Sequence, residues 1–224
     1  MATKRTRRGP LHIKIYGELK KKLLSGEMPP GAVVSEAELS RRWSVSRTPI
    51  REAIRRLEQE DLLTWAPRRG ATVARMSVRE LSEVAELRQA LEGTSARLAA
   101  ARRTEQDMTE LRDLLHEIDA AHQRKDIAAT IELDDALHRR IALATGNKLL
   151  AAAADRLLNR VHFARSRVRH IPGRQEEFQR EHAAILEAIA AQEAETAERL
   201  MIEHVQRSRI RLIEMLDGGR DIDC

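Results

Sequence analysis

Apolar positions recur at helical spacing through most of the chain. Ile15, Leu19, Leu23 and Leu24 share one face of a segment from His12 to Ser25, which Gly26, Pro29, Pro30 and Gly31 then break. Ser35 with Glu38 has the pattern of a capping box, each side chain satisfying a free backbone donor. A second helix is therefore expected over about Glu36 to Trp43, burying Leu39 and Trp43 one turn apart. Beyond a short turn through Ser44 and Val45, a third helix begins near Ser46 to Thr48, because Pro49 fits only a first turn. Its apolar face is Ile50, Ala53, Ile54 and Leu57. Two β-prone runs follow, Leu62 to Trp65 and Ala71 to Ala74. They flank a turn through Ala66, Pro67, Arg68, Arg69 and Gly70 and read as a hairpin.

From Ser77 onward the pattern is helical throughout. Ser77 with Glu80 repeats the capping signal, and Val84, Leu87, Leu91 and Leu98 mark an expected buried stripe. Breaks fall near Arg103-Thr104, Lys125-Asp126, Gly146-Asn147 and Ile171-Pro172-Gly173, with a subtler one near Gln192-Glu193. About six alanine-rich helices result, and an antiparallel bundle is their natural packing. The fold class is mainly α: an N-terminal winged helix-turn-helix followed by an all-α antiparallel helical bundle. The expected division is a basic tail (1–11), the winged helix (12–75), a linker (76–77), the bundle (78–216) and a short tail (217–224).

Charge sharpens this division. Residues 1–75 hold 17 Lys and Arg against 8 Asp and Glu, whereas the remainder is slightly acidic, 23 against 27. A polyanion is thus expected to meet the first third only. With 42% apolar and 33% charged residues the chain fits neither a membrane protein nor a disordered one. No apolar run approaches the ~18 residues that span a bilayer. The basic stretch from Met1 to Gly9 is not followed by a hydrophobic segment, so a secretory signal is not expected. The single cysteine, Cys224, has no intramolecular partner. Together these favour the cytoplasm.

Arg47, Arg51 and Arg55 run along a stripe beside the apolar face of the third helix. Two helices joined by a tight turn, with arginines early in the second, fit a recognition helix in a major groove. Arginine suits that role because its planar fork grips two acceptors on a guanine edge. Ser46 and Thr48 stand where a helix N-terminus bonds phosphate, and Arg68, Arg69 and Gly70 make a basic wing tip. Residues 31–74, and above all SVSRTPIREAIRRLE, closely resemble the winged-helix domain of GntR-type regulators. The resemblance implies DNA contacts from Ser46, Arg47, Thr48 and Arg51, with Gly70 at the wing. Two departures stand out. Asp61 replaces a usual glycine and is expected to change the turn after the helix, and Ala37 stands where some relatives have a DNA-contacting arginine.

Residues 78–216 resemble the all-helical effector (FCD) domain of the FadR-type branch of that family, in ELRQALEGTSARLAA, LDDALHRRIALATGN, EHAAILEAI and MIEHV. Within it Asp134 and His138 lie one turn apart on one helix face. His182 and His204 each lie 11 residues from position 193, on opposite sides of the suspected turn, so an antiparallel hairpin sets both imidazoles at one height. One carboxylate and three imidazoles suit Zn²⁺, Mn²⁺, Ni²⁺ or Fe²⁺, and the resemblance supports the set, since a subset of these domains carries Asp and three His at matching places. Leu137 departs from the aromatic that often precedes the first His. His116, His122, His162 and His170 read as solvated or hydrogen-bonded side chains.

A metal with open positions accepts a small carboxylate, and Arg88 resembles a pocket arginine of the family; equally, it can pair with Glu92 at i, i+4. The leading expectation is a ligand-responsive regulator, usually a repressor in this family, that binds a palindromic operator as a homodimer and senses an organic acid. A metal-dependent enzyme is the rival reading. Against it, Glu181 and Glu203, each next to a candidate ligand, are expected to point off the ligand face, leaving no placed general base and no nucleophile motif. The third is an architectural DNA binder with a purely structural bundle.

Overall fold

The computed structural model describes residues 11–66, 68–165 and 175–218, in two units that divide between Arg75 and Met76. The basic N-terminal tail, Pro67, the break at 171–173, His170 and Cys224 lie outside the described residues.

The first unit runs α1 (Leu11–Leu24), α2 (Glu36–Trp43), α3 (Arg47–Gln59), β1 (Leu63–Ala66) and β2 (Gly70–Val73). Ile15, Leu19 and Leu23 of α1 pack in a core with Ile50, Ala53, Ile54 and Leu57 of α3, the face that periodicity selects. Leu24 is only half-buried. Ser35 accepts from the Glu38 N–H at 3.3 Å, which is half of the expected capping box. Leu39 and Trp43 are also half-buried rather than buried: a helix of two turns leaning on α3 leaves part of each side chain in solvent.

The turn into α3 is closed by Ser44 in the left-handed region (φ 52°), by Val45 N–H on the Ser40 carbonyl (3.1 Å) and by the Ser40 hydroxyl on the Val45 carbonyl (2.6 Å). Asp61 does not alter the turn after α3. It takes φ 56°, the conformation a glycine would take, and the Leu62 N–H bonds the Leu57 carbonyl at 3.0 Å. This is the left-handed helix stop, and a short polar side chain tolerates it. The strands pair antiparallel, Leu63 opposite Val73 and Ala66 opposite Gly70, one residue nearer the turn than the sequence pattern indicates. Arg68 (φ 65°) and Gly70 (φ 80°) shape the tip.

The second unit holds, among the described residues, α4 (Val78–Arg102), α5 (Glu105–Gln123), α6 (Ile127–Ala144), α7 (Lys148–Arg165), α8 (Gln175–Ala190) and α9 (Ala194–Gly218). Ser77–Glu80 and Thr104–Asp107 are full capping boxes, and Asp126 caps α6. Lys125 and Gln192 end their helices in left-handed conformations, which is why the break at 192 is hard to see without a glycine. Small residues let helices approach closely: a Cβ on Gly93 of α4 would stand 2.8 Å from Cγ1 of Ile202 on α9. Ala96, Ala99 and Ala100 join Leu111, Ile118, Leu137, Ile141, Ile189 and Val205 in the core.

The buried face of α4 is not the expected leucine stripe. Leu87 is 56% exposed, and Leu91 and Leu98 are half-buried. The buried side carries Leu81, Val84, Ala85, Arg88, Glu92, Ser95, Ala96 and Ala99. A hydrophobicity count misses this face because an ion pair occupies its middle. Among the described residues no helix is long and apolar enough to cross a membrane.

Candidate functional site

Three helices bring the four anticipated side chains together. Asp134 and His138 project from α6, His182 from α8 and His204 from α9, all at most 2% exposed, and one donor atom from each lies within 4.8 Å of the others. Ring centroids are 4.4 Å apart for His182 and His204 and 5.2 Å for His138 and His204. His182 Nε2 is 3.1 Å from Asp134 Oδ1. Nevertheless Asp134 Oδ1, both nitrogens of His138 and both nitrogens of His182 are buried without an aligned hydrogen bond. Buried polar atoms left unpaired cost free energy, and here one donor atom from each of the four side chains lies close to the other three. Three buried imidazoles and a carboxylate, with donor atoms left unpaired on Asp134, His138 and His182, fit a divalent transition metal.

A ring of carboxylates and arginines surrounds the set. His204 Nδ1 donates to Glu181 Oε2 at 2.7 Å, which turns Nε2 toward the other ligands. His138 Nδ1 lies 2.7 Å from Glu92 Oε2, off the line of a hydrogen bond. Arg211 of α9 grips both oxygens of Glu181, at 3.1 and 2.8 Å. Arg165 of α7 pairs with Asp134 Oδ2, and buried Asp135 pairs with His162 Nδ1. Phe178, one turn before His182, sets its ring 4.3 Å from that imidazole.

Electrostatics follow from burial and these partners. Burial and the neighbouring His182 push His204 down to about 3, and burial lowers His182 as well. Burial alone would raise the Asp134 carboxyl, but Arg165, with His182 and His138, holds it well below the usual carboxylate range. Glu181 is lowered to about 2 because bonds from His204 and Arg211 outweigh its desolvation. Neutral imidazoles beside ionised carboxylates are the protonation states that metal coordination requires.

Glu181 therefore corrects an expectation. It faces a candidate ligand, whereas Glu203 does lie off the site, pairing with Arg199 and Arg207. The signal was available: Glu181 precedes position 193 by 12 residues and His204 follows it by 11, so the two share a level in the hairpin. No comparable signal points to Arg165 or Asp135, since sequence does not fix the register of α7 on α6. His122 also departs from expectation: it is 9% exposed, its Nδ1 has no hydrogen bond, and its ring meets Phe178 edge-on. His162 is hydrogen-bonded and His116 is exposed, as anticipated. Arg88 donates to Glu92 through Nε (2.5 Å) and Nη2 (3.1 Å), the ion pair that was one of its two readings.

On the first unit, Ser46, Arg47, Thr48, Arg51 and Arg55 are all exposed along one side of α3, and Arg68 and Arg69 are exposed at the hairpin tip. Ser46 caps α3 by position, yet its hydroxyl makes no bond to the helix. Arg51 Nε donates to Glu36 Oε2 at 2.7 Å. Trp65, on β1, is 61% exposed, a feature that sequence patterning left unremarked.

Comparison with known proteins fits both units. The model of bacterial regulatory proteins of the gntR family matches residues 11–73, and that of the FCD domain matches 83–207. The chain belongs to the GntR family. A GntR-type relative, the HTH-type transcriptional repressor RspR of Escherichia coli, is 31% identical over 88% of this chain and 86% of its own length. The uncharacterized regulator YdhC of Bacillus subtilis is 27% identical over 95% of both chains. The solved structure of E. coli McbR/YncC superposes with a TM-score of 0.81 at 25% identity, covering 92% of this chain and 98% of that one. This GntR member is thus a transcriptional regulator with a DNA-binding helix-turn-helix and an FCD domain. Its families and relatives are regulators, not enzymes. All four candidate ligands fall inside the FCD match, and α3 falls inside the gntR match.

Proposed function

We propose that the chain is a cytoplasmic, metal-dependent repressor that binds a palindromic operator as a homodimer and responds to a small organic acid. The convergence of Asp134, His138, His182 and His204, all buried and with unpaired donor atoms on the first three, carries the reading. On the DNA side, Arg51 reads a guanine edge, while Ser46, Arg47, Thr48 and Arg55 meet bases and backbone beside it. Arg68, Arg69 and Gly70 lie along the phosphates at the wing.

Charge supports the organic acid. Four buried carboxylates, Glu92, Asp134, Asp135 and Glu181, face Arg88, Arg165 and Arg211, and half-exposed Arg207 also lies 3.5 Å from Glu181, so their charges balance. When bound, a divalent cation supplies a Lewis-acidic centre and adds positive charge to this balanced set. A ligand carboxylate then offsets part of that charge in a medium where unbalanced charge is costly. Arg88, linked to His138 through Glu92, is the proposed arginine on the effector side.

The test uses the duplex that the full-length protein enriches from a random-sequence pool. Metal-stripped protein is reloaded with zinc, manganese, nickel or iron(II), and DNA affinity is read with and without a panel of organic acids at stated salt. Affinity should shift with metal and acid together, and His138→Ala should abolish the shift. Zinc binding no stronger than that of His138→Ala would end the metal reading.

A further inference from the structure

Of the three arginines on the exposed stripe of α3, Arg51 alone is held. Arg47 and Arg55 make no hydrogen bond or ion pair among the described residues, whereas Arg51 is tied through Nε to a carboxylate on another helix. Its partner, Glu36, is the first residue of α2, directly after the Ser35 cap. Stability does not account for this bond: an arginine 57% exposed, paired with a glutamate 23% exposed, gains little in water.

The geometry matters more than the energy. A guanidinium presents parallel donor pairs end-on, from both Nη groups, and side-on, from Nε with one Nη. A carboxylate on Nε blocks the side-on pair and leaves the end-on pair for a base. Both Nη groups stay free, and the side chain is restrained in rotation about its long stem. Two parallel donors already fixed in direction are what the O6 and N7 acceptors of guanine require. The same carboxylate carries a cost, because it stands beside a helix that approaches polyphosphate. It therefore weakens binding to any duplex while sharpening the choice among duplexes.

We propose that Glu36 is a specificity-determining positioning residue: it holds Arg51 by Nε so that its two Nη groups are presented to a guanine. The inference rests on the reading that α3 enters the major groove and Arg51 reads a base there. Glu36 itself need touch no nucleotide.

The experiment measures binding of the full-length protein to three duplexes: the selected one, the same one with each half-site guanine replaced in turn, and a scrambled one. Wild type should discriminate against the replacement at one guanine by roughly 5- to 150-fold, and Arg51→Ala should lose that discrimination. Glu36→Gln, which keeps size but removes charge, should lower that discrimination toward the level of Arg51→Ala. At low salt Glu36→Gln should also bind the scrambled duplex roughly twofold tighter or more, because a repelling charge has gone. A merely structural role weakens all three duplexes together. In an Arg51→Ala background, Glu36→Gln should leave discrimination unchanged. If Arg51→Ala loses discrimination but Glu36→Gln keeps it, or if Glu36→Gln lowers it equally without Arg51, the positioning role is overturned. If Arg51→Ala discriminates as wild type does, the base-reading role falls and the positioning role falls with it. Thermal unfolding of each variant confirms that α2 and α3 remain folded.

Discussion

His204 and Glu181 are joined across the α8–α9 hairpin by a 2.7 Å hydrogen bond from Nδ1 to Oε2. Each belongs to a different helix, and Arg211 grips both oxygens of the carboxylate. The bond decides which imidazole nitrogen is left free to ligate, so it would bear on metal affinity without touching a metal.

Glu181→Gln keeps an acceptor but removes the charge that raises the basicity of His204. Zinc affinity should fall by roughly 10- to 100-fold, as for other partners behind a ligating histidine. Competition with a chromophoric chelator measures it. An unchanged affinity would show that Glu181 only braces Arg211.

Acidity should destabilise the metal-free protein. His204 sits at about 3 when folded, and its ordinary value is near 6.5, so between these limits the unfolded chain binds the extra proton. Stability is complete above the unfolded value and is lost as pH falls toward the folded one. His182 and the depressed carboxylates Asp134 and Glu181 act in the same direction, the carboxylates at lower pH. The slope is about 1.4 kcal/mol per pH unit for each proton taken up. Denaturant titrations of stripped protein at pH 7.5, 6.5 and 5.5 should show it, and His204→Ala should flatten the curve.

Arg88→Ala strands Glu92, which is 3% exposed, without its bidentate partner. Removing one side of a buried pair costs about 3–5 kcal/mol. Arg88→Met combined with Glu92→Leu should recover much of this, since both charges leave together. Zinc affinity of the double variant should fall below that of Arg88→Ala, because the Glu92 contact to His138 has gone. Urea unfolding and zinc titration on the same samples separate the two effects.

Gly93→Ala sets helix propensity against packing. Alanine is favoured by about 1 kcal/mol in a helix interior, but its Cβ meets Ile202 Cγ1 at 2.8 Å, and overpacking costs about 1–3 kcal/mol. A net loss of Tm is expected, relieved in part by Ile202→Ala. A higher Tm for Gly93→Ala alone would mean that α4 and α9 move apart at no cost.

Helix period and turn chemistry made most of the architecture legible. Leu57 and Ile50 fell on the face of α3 that is buried, and Asp126 and Thr104 marked where helices restart. The four metal candidates were legible because two pairs obey simple distance rules, one along a helix and one across a hairpin. The surroundings were not. Arg88 and Glu92 lie on a buried face that hydrophobicity assigns to Leu87, and Arg165 reaches Asp134 from a helix whose register no local pattern sets. Asp61 and Gln192 show the converse: residues that are not glycine adopt its conformation, so a stop stays hidden in the letters.

Asp134 offers its two oxygens to different company, Oδ1 to the imidazoles and Oδ2 to Arg165, where α7 ends. A carboxylate has only one charge to divide. A cation drawing on the first oxygen would slacken the grip of the second, and the last turn of α7 would then register the centre's occupant without ever reaching it.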